Sequence, residues 1–149
     1  MKIAVGSDEK TKTTDFVVKY LKENKHTVIL FGALTKPKAL WSVVALEVAE
    51  AVKNKIADEG ILMCWTGTGV AMAANKVSKI RAVTVTNAKI TKEARKWDHA
   101  NILSFSCFLS EKKVKAILDA WFSTKYSSEK DDIEGIKKLE EIEKKYFKI

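Results

Sequence analysis

The sequence has little proline and glycine, with one proline and six glycines in 149 residues. This scarcity excludes a collagen-like, proline-rich or low-complexity chain. Long hydrophobic runs are also missing, because the longest nearly apolar stretch, residues 39–51, is too short to span a bilayer and contains Glu47 and Glu50. No signal-peptide hydrophobic region or cleavage site follows the first methionine, so we expect a cytoplasmic protein with no membrane partner.

Cysteine and histidine are scarce as well, with two residues of each. Cys64 and Cys107 lie in apolar segments, and their spacing does not resemble a metal site, so we expect no bound metal. Two thiols in a cytosolic chain are more often reduced than paired. Any histidine chemistry is restricted to His26 and His99.

The chain is basic, with 27 lysines and arginines against 19 acidic residues and a net charge of +8. The excess lies before residue 124, because residues 1–123 contain 20 basic and 12 acidic side chains and the rest contain seven of each. A basic body raises the possibility of a nucleic-acid or phosphorylated partner. The lysines are scattered, however, and no arginine–aromatic stripe accompanies them, so nucleic acid is not the expected partner.

Short apolar, β-branched runs alternate with stretches of helical periodicity. Alternation of this kind indicates an α/β fold, with a parallel sheet covered by helices on both faces. The order fits a five-stranded doubly wound sheet, in which ligands bind at the carboxyl ends of the strands. The five predicted strands are residues 2–6, 27–32, 60–64, 81–86 and 101–106.

The length fits a single domain over residues 1–149, with an α/β core over 1–123 and a C-terminal helical segment over 124–149. The helix in this segment is charged, and its apolar residues recur every three or four positions. It could pack on its own domain or reach across a dimer, and we favour a dimer arm. Its apolar positions are Ile133, Ile136, Leu139, Ile142 and Tyr146.

A glycine-containing loop follows the third predicted strand, which ends at Cys64. A small-residue helix is predicted to begin near Gly69, so backbone N–H groups would point at one place suited to an anion. The loop lacks the Gly-Lys-Ser/Thr ending of a P-loop and the third glycine of a dinucleotide fingerprint. A tight strand-to-helix turn with a core cysteine explains the same residues about as well.

Cys64 also has a chemical interpretation. A thiolate at a strand end beside a helix N-terminus would have a lowered pKa and could act as a base. A base that faces several N–H groups suits aldose–ketose isomerisation, in which a proton leaves the carbon next to a carbonyl and the N–H groups hold the enediolate oxygen. Cys107 we interpret as a core residue.

At this loop the sequence resembles the family of type-B ribose-5-phosphate isomerases and galactose-6-phosphate isomerases. The most specific block is Cys-x-Thr-Gly-x-Gly, then Ala-Ala-Asn-Lys and Ile-Arg-Ala, within residues 60–81. The opening through Asp8, residues 98–103 and the charged tail also match. The resemblance implies a Rossmann-like three-layer sandwich and a cofactor-free isomerase. It also implies a homodimer or dimer of dimers, with each active site shared between two subunits.

The resemblance implies a role for individual residues of this chain. Cys64 corresponds to the catalytic base and Thr66 to the hydroxyl that assists ring opening. Gly67, Thr68 and Gly69 correspond to the enediolate site, and Asp8 to the aspartate that binds sugar hydroxyls. From the fifth-strand region and the tail, the expected substrate-binding residues are Asp98, His99 and Lys130.

The sequence departs from the family pattern at the phosphate-binding and ring-opening positions. Arginine forks bind phosphate with paired bonds, and of the positions where the family has them only Lys130 keeps a positive charge. His99, helped by Asp98, either replaces the missing ring-opening histidine or is a surface residue, and we favour the latter. The departures are Glu9, residues 40–44, Trp65, Trp97, Phe108 and Glu134.

Three functional hypotheses follow. The first is an aldose–ketose isomerase that acts through Cys64 on a sugar or sugar phosphate other than ribose 5-phosphate. The second is one subunit of a hetero-oligomeric isomerase completed by a second family member. The third is a non-catalytic homologue that binds an anionic metabolite. Trp41, Trp65 and Trp97 either line a sugar-stacking pocket or serve as core and dimer contacts.

Overall fold

Five parallel strands form the centre of the computed structural model, which describes residues 1–147. Their order across the sheet is β2-β1-β3-β5-β4, and every neighbouring pair is parallel. All five predicted strands are present. They are β1 (Lys2–Ser7), β2 (Thr27–Gly32), β3 (Glu59–Cys64), β4 (Ala82–Thr84) and β5 (Ile102–Ser106).

In the described residues each strand is followed by one helix, and a sixth helix comes after the linker that follows the fifth. They are α1 (Lys12–Glu23), α2 (Trp41–Lys53), α3 (Thr68–Ala74), α4 (Ala88–Trp97), α5 (Glu111–Ser123) and α6 (Lys130–Tyr146). Two separate apolar clusters fill the two faces of the sheet, one with α2 and α3 and the other with α1 and α5. The Rossmann-like three-layer sandwich is therefore confirmed.

Polar side chains mark the starts of several helices. Thr11 and Thr14 form a reciprocal capping box at α1, and the Asn87 side chain accepts from the Ile90 N–H at α4. The Ser110 side chain, at the start of α5, accepts from the Lys113 N–H at 3.4 Å. These local signals place the helix starts directly after the loops at the carboxyl edge of the sheet.

The C-terminal helix α6 buries none of its residues, although it carries the predicted apolar stripe. Leu139 and Ile142 remain about half exposed, at 46% and 48%. One specific contact to the core is a hydrogen bond from the Lys79 N–H to Glu143 Oε1 at 2.7 Å. The dimer-arm interpretation of this helix stays a prediction. Of the helices in the described part of the chain, none has the length and hydropathy to cross a membrane.

A buried polar network occupies the amino edge of the sheet, where β3 begins. Glu59 is 6% exposed, forms an ion pair with Arg95, and accepts from Trp121 Nε1 at 2.7 Å. The Arg95 guanidinium lies between the rings of Trp121 and Tyr126, at 4.4 and 4.6 Å. Tyr126 in turn stacks on His99, with ring centroids 4.6 Å apart. This network attaches the linker before α6 to the core.

We predict that Arg95→Met destabilises the protein by about 3–5 kcal/mol, because it leaves the Glu59 carboxylate buried without its partner. Lys115→Met is the matched control, since Lys115 pairs with Asp119 on the exposed surface of α5. It should cost under about 1 kcal/mol. Urea unfolding of both variants measures the difference, and equal small losses would contradict the assigned role of the Arg95–Glu59 pair.

Candidate active site

The loop between β3 and α3 presents Cys64 at the carboxyl edge of the sheet. The residue is buried, with 6% of its surface exposed. Its Sγ accepts a hydrogen bond from the backbone N–H of Gly67 at 3.1 Å. The cysteine at the end of β3 thus accepts from one backbone N–H of the loop that follows it.

Gly67 determines the path of this loop. Its φ is +82°, in the left-handed region, and a Cβ on it would lie 2.7 Å from backbone atoms of Phe105 on β5. Its carbonyl oxygen accepts from the hydroxyls of Ser104 and Thr84 at 2.9 and 3.1 Å. Because L side chains rarely adopt such a φ and there is no space for a Cβ, only glycine fits this position. Helix α3 begins at the next residue, Thr68, one position before the predicted start.

The two threonines of the loop form a small hydroxyl pair at the surface. Thr66 Oγ1 lies 2.7 Å from Thr68 Oγ1, and it also accepts from the Thr68 N–H at 3.3 Å. Both residues are exposed, whereas Gly67 between them is buried. The next residue, Gly69, lies under the ring of Trp41, which comes within 3.2 Å of where a Cβ would stand. The loop therefore offers two hydroxyl groups to solvent beside a tryptophan.

Asp8 follows β1, which lies directly beside β3 in the sheet. Its Oδ1 is buried and has no hydrogen-bond partner among the described residues. Burial, and secondarily the charge of Glu9, raise the pKa of the Asp8 carboxyl. The substrate-binding role that the family resemblance implies for Asp8 stays a prediction.

Cys107 is a core residue, as expected. It is fully buried in the cluster that lies on the opposite face of the sheet from the cluster of Cys64. Burial, followed by the charges of Asp8 and Glu9, raises the pKa of the Cys107 thiol to about 11. A thiol with this pKa stays protonated at neutral pH and is a poor base.

Two aromatic residues flank the cysteine at the same edge. Trp65 and Phe108 are 64% and 55% exposed, and their rings meet edge to face with centroids 5.5 Å apart. The Ser106 hydroxyl donates to the Trp65 carbonyl at 2.6 Å and accepts from the Phe108 N–H at 3.2 Å. Trp97, the third tryptophan predicted for a sugar-stacking pocket, ends α4 at the other edge of the sheet and does not join them.

Asp98, His99 and Lys130 do not lie near Cys64 within one chain. Asp98 caps the end of α4, and Lys130 begins α6, so both belong to the amino edge. His99 has a φ of +48°, and its Nε2 lies 3.0 Å from the Ser127 carbonyl oxygen. A strand of this length spans about 17–20 Å, and that separates the two edges. These three residues can join a site with Cys64 only if a second copy supplies them.

At the amino edge, the pKa of one carboxyl group is also shifted, that of Asp98. Burial, and next the charge of Asp132, raise the pKa of the Asp98 carboxyl, while His99 opposes the rise. Because a carbonyl oxygen can only accept, the contact with Ser127 places a proton on His99 Nε2. Residues 1–147 contain no group of three or more His, Cys, Asp or Glu side chains arranged to hold a metal ion.

Sequence reasoning missed the hydroxyls of Thr84 and Ser104. Both lie within apolar strand segments, and a single polar residue in such a run gives no periodic signal. It also missed the network around Glu59, although a glutamate that opens an otherwise apolar strand was a usable signal. The loop residues 64–69, in contrast, were singled out from the sequence, and their catalytic and binding roles stay predictions.

Comparison with known proteins relates this geometry to a family. The family model described as Ribose/Galactose Isomerase matches residues 3–139. The chain belongs to this family. Ribose-5-P isomerase B of Listeria innocua is 34% identical over 149 residues, which cover 97% of this chain and 99% of that protein. The galactose-6-phosphate isomerase subunit LacB of Clostridium acetobutylicum is 29% identical, over 95% and 83% of the two chains.

A solved structure of the family has the same fold. Ribose-5-phosphate isomerase B of Clostridium thermocellum superposes with a TM-score of 0.91, at 34% identity, over 98% of this chain and 99% of that one. The family relatives named here are isomerases of phosphorylated sugars. Sugar phosphate isomerase chemistry is accordingly supported for this chain at the level of the family.

We predict that Gly67→Ala destabilises the protein by about 1–3 kcal/mol, because alanine is strained at this φ and its Cβ meets the Phe105 backbone. Gly135→Ala is the matched control, since Gly135 lies in the exposed helix α6 with nothing within 4 Å of a Cβ. It should stabilise by about 0.5–1 kcal/mol. Thermal or urea unfolding of both variants checks the opposite signs, and a neutral Gly67→Ala would refute the close contact.

Proposed function

We propose that the protein is an aldose–ketose isomerase in which Cys64 is the base, and that its substrate is a sugar or sugar phosphate other than ribose 5-phosphate. The observation that carries this proposal is the hydrogen bond from the Gly67 N–H to Cys64 Sγ at the carboxyl edge of the sheet. Through this contact the sulfur lies against a backbone donor at the edge where open α/β sheets bind ligands.

The reaction needs one base and one oxygen-stabilising site. The Cys64 thiolate takes the proton from the carbon next to the substrate carbonyl, and the electron pair of that C–H bond forms the enediolate. N–H groups of residues 67–69 stabilise the charge that develops on its oxygen, and those of Gly67 and Thr68 leave Cys64 Sγ and Thr66 Oγ1 to do so. The thiol then returns the proton to the former carbonyl carbon, while a proton moves between the two oxygens. No redox partner is required.

The neighbouring polar groups serve ring opening and orientation in this proposal. The Thr66 hydroxyl, already paired with Thr68, exchanges that contact for the ring oxygen or anomeric hydroxyl of the closed sugar. The carboxylate of Asp8, a residue that is only partly buried, accepts from a hydroxyl further along the chain of the sugar. Both contacts fix the substrate relative to the sulfur, and such positioning contributes much of the rate in proton transfer.

The complete site requires a second chain in this proposal. Asp98, His99 and Lys130 lie at the opposite edge of the sheet, and α6 exposes apolar side chains that a second copy would cover. We expect a homodimer or dimer of dimers. The name of the LacB relative, a subunit, also supports a hetero-oligomer with a second family member. A cytoplasmic location and the absence of a cofactor remain expectations.

Deuterium exchange tests the function without knowledge of the product. The purified protein is incubated in D2O with pentoses, hexoses and their phosphate esters, and NMR detects deuterium at the carbon next to the carbonyl. We predict exchange with at least one sugar and a loss of about 100-fold or more in Cys64→Ala, since removal of a general base costs this much.

Cys107→Ala is the matched control, because it removes the other thiol from the opposite face of the sheet. It should retain exchange. Equal exchange in wild type and Cys64→Ala would exclude Cys64 as the base. Absence of exchange with every sugar would favour a chain that needs an unlike partner subunit, and a pull-down with the second family member would follow.

A further inference from the structure

The two outer strands of the sheet differ in how their backbone groups are covered. The strand order places β2 at one side of the sheet and β4 at the other. Strand β4 has only three residues, and the Asn75 side chain bonds both the N–H and the carbonyl oxygen of Ala82, each at 2.8 Å. The Asn75 amide thus takes the place of a neighbouring strand, so β4 offers little free backbone to a further strand.

Strand β2 is longer, with six residues, and its outward backbone groups are free. The Thr27 N–H donates to the Met1 carbonyl on the β1 side at 2.9 Å. Because the direction of these groups alternates along a strand, the odd-numbered residues of β2 bond β1, and Val28 and Leu30 face away from the sheet. No other described residue bonds the N–H groups or carbonyl oxygens of Val28 and Leu30.

The sequence of β2 has no feature that prevents an edge strand from pairing. Natural edge strands are protected by charged side chains, proline or a bulge. Residues 27–32 read Thr-Val-Ile-Leu-Phe-Gly, without charge or proline, and their register with β1 continues without a bulge. The side chains of residues 28–31 are apolar and partly exposed. Strand β2 is therefore an unprotected apolar edge.

The groups at the ends of β2 select one register for a second strand. The Gly32 carbonyl already accepts from the turn that follows it, and the His26 N–H already donates to the last turn of α1. Only Val28 and Leu30 have both backbone groups free. A second β2 that runs antiparallel, with Val28 of each copy opposite Leu30 of the other, pairs all of these free groups with one another.

We propose that β2 is an interface for a second copy of this chain, whose own β2 pairs with it antiparallel about a twofold axis at Ile29. The two sheets then form one continuous sheet. Val28 lies opposite Leu30 and Ile29 opposite Ile29, so apolar side chains meet on both faces and no charges oppose each other. A twofold interface requires a surface that is complementary to itself, and this strand satisfies that requirement.

This interface is separate from the one that a shared site around Cys64 needs. From β3 of one copy to β5 of the other, the strand order gives six spacings across the paired β2 strands, roughly 29 Å. The pairing therefore does not bring the His99 segment of the second copy to Cys64. The inference is independent of the proposed isomerase function, and together with a site-sharing interface it gives a dimer of dimers.

Disulfide cross-linking tests the register. Antiparallel residues that face each other without ladder bonds have Cα atoms about 4.5 Å apart, a separation that a disulfide spans. We expect Ile29→Cys to form a covalent dimer with oxidised glutathione, seen on a non-reducing gel. Val28→Cys is the matched control, since Val28 lies diagonal to its own copy, beyond the roughly 7 Å limit for a disulfide. The native Cys64 and Cys107 are both buried.

Charge substitution at the axis measures the strength of the interface. Ile29→Lys places two like charges directly opposite each other, and we expect it to raise the dissociation constant by about tenfold or more. Ile29→Glu should have the same effect. An equimolar mixture of the two variants places opposite charges together and should restore pairing. Sedimentation velocity measures the mass of each sample, and circular dichroism confirms that each variant is folded.

Every outcome decides the matter. A mass that halves in both charged variants and returns in the mixture supports the interface. An unchanged mass in both variants overturns it, and so does a wild-type protein that is monomeric at all concentrations. Equal cross-linking of Val28→Cys and Ile29→Cys, or a mass that mixing does not restore, overturns the register centred on Ile29. None of these readouts uses isomerase activity, so failure of the proposed function leaves them unchanged.

Discussion

The contact between Gly67 and the backbone of Phe105 holds the Cys64 loop against β5. A side chain at position 67 would lie 2.7 Å from Phe105 backbone atoms, so the loop could not approach the strand. The same turn delivers the Gly67 N–H to Cys64 Sγ and its carbonyl to the hydroxyls of Ser104 and Thr84. The sulfur, its N–H donor and the start of α3 all depend on this one position, and a small displacement of the loop would separate the sulfur from that donor.

Strand–helix alternation and apolar periodicity were sufficient to predict the fold, including all five strands. Two boundaries differ for physical reasons. Strand β4 covers only Ala82–Thr84, because its pairing with β5 extends over only these three residues. Helix α3 begins at Thr68, since the left-handed Gly67 ends the loop one residue early. Both differences depend on tertiary contacts that periodicity does not contain.

The loop half of the candidate site could be predicted, because its residues are contiguous and their spacing is specific. The two hydroxyl groups that bind the Gly67 carbonyl could not be predicted. Thr84 and Ser104 come from β4 and β5, so their side chains meet the loop only once the sheet has formed. The position of His99 could not be predicted from the sequence either, because its stacking on Tyr126 and its contact with Ser127 depend on the path of the linker before α6. The fold places this group and Cys64 on opposite edges, which makes assembly with a second chain the structural requirement for a shared site.

The account depends on an enediolate bound at the Gly67 turn, and backbone amide NMR with an aldonohydroxamic acid tests that claim most directly. A hydroxamate resembles the planar enediolate in shape and charge, and a ligand of this kind should bind more tightly than the sugar itself. We predict that titration shifts the amide resonances of residues 67–69 and the Asp8 region together, with one dissociation constant. Shifts confined to the amino edge, or none at residues 67–69 with the ligand bound, would contradict the account.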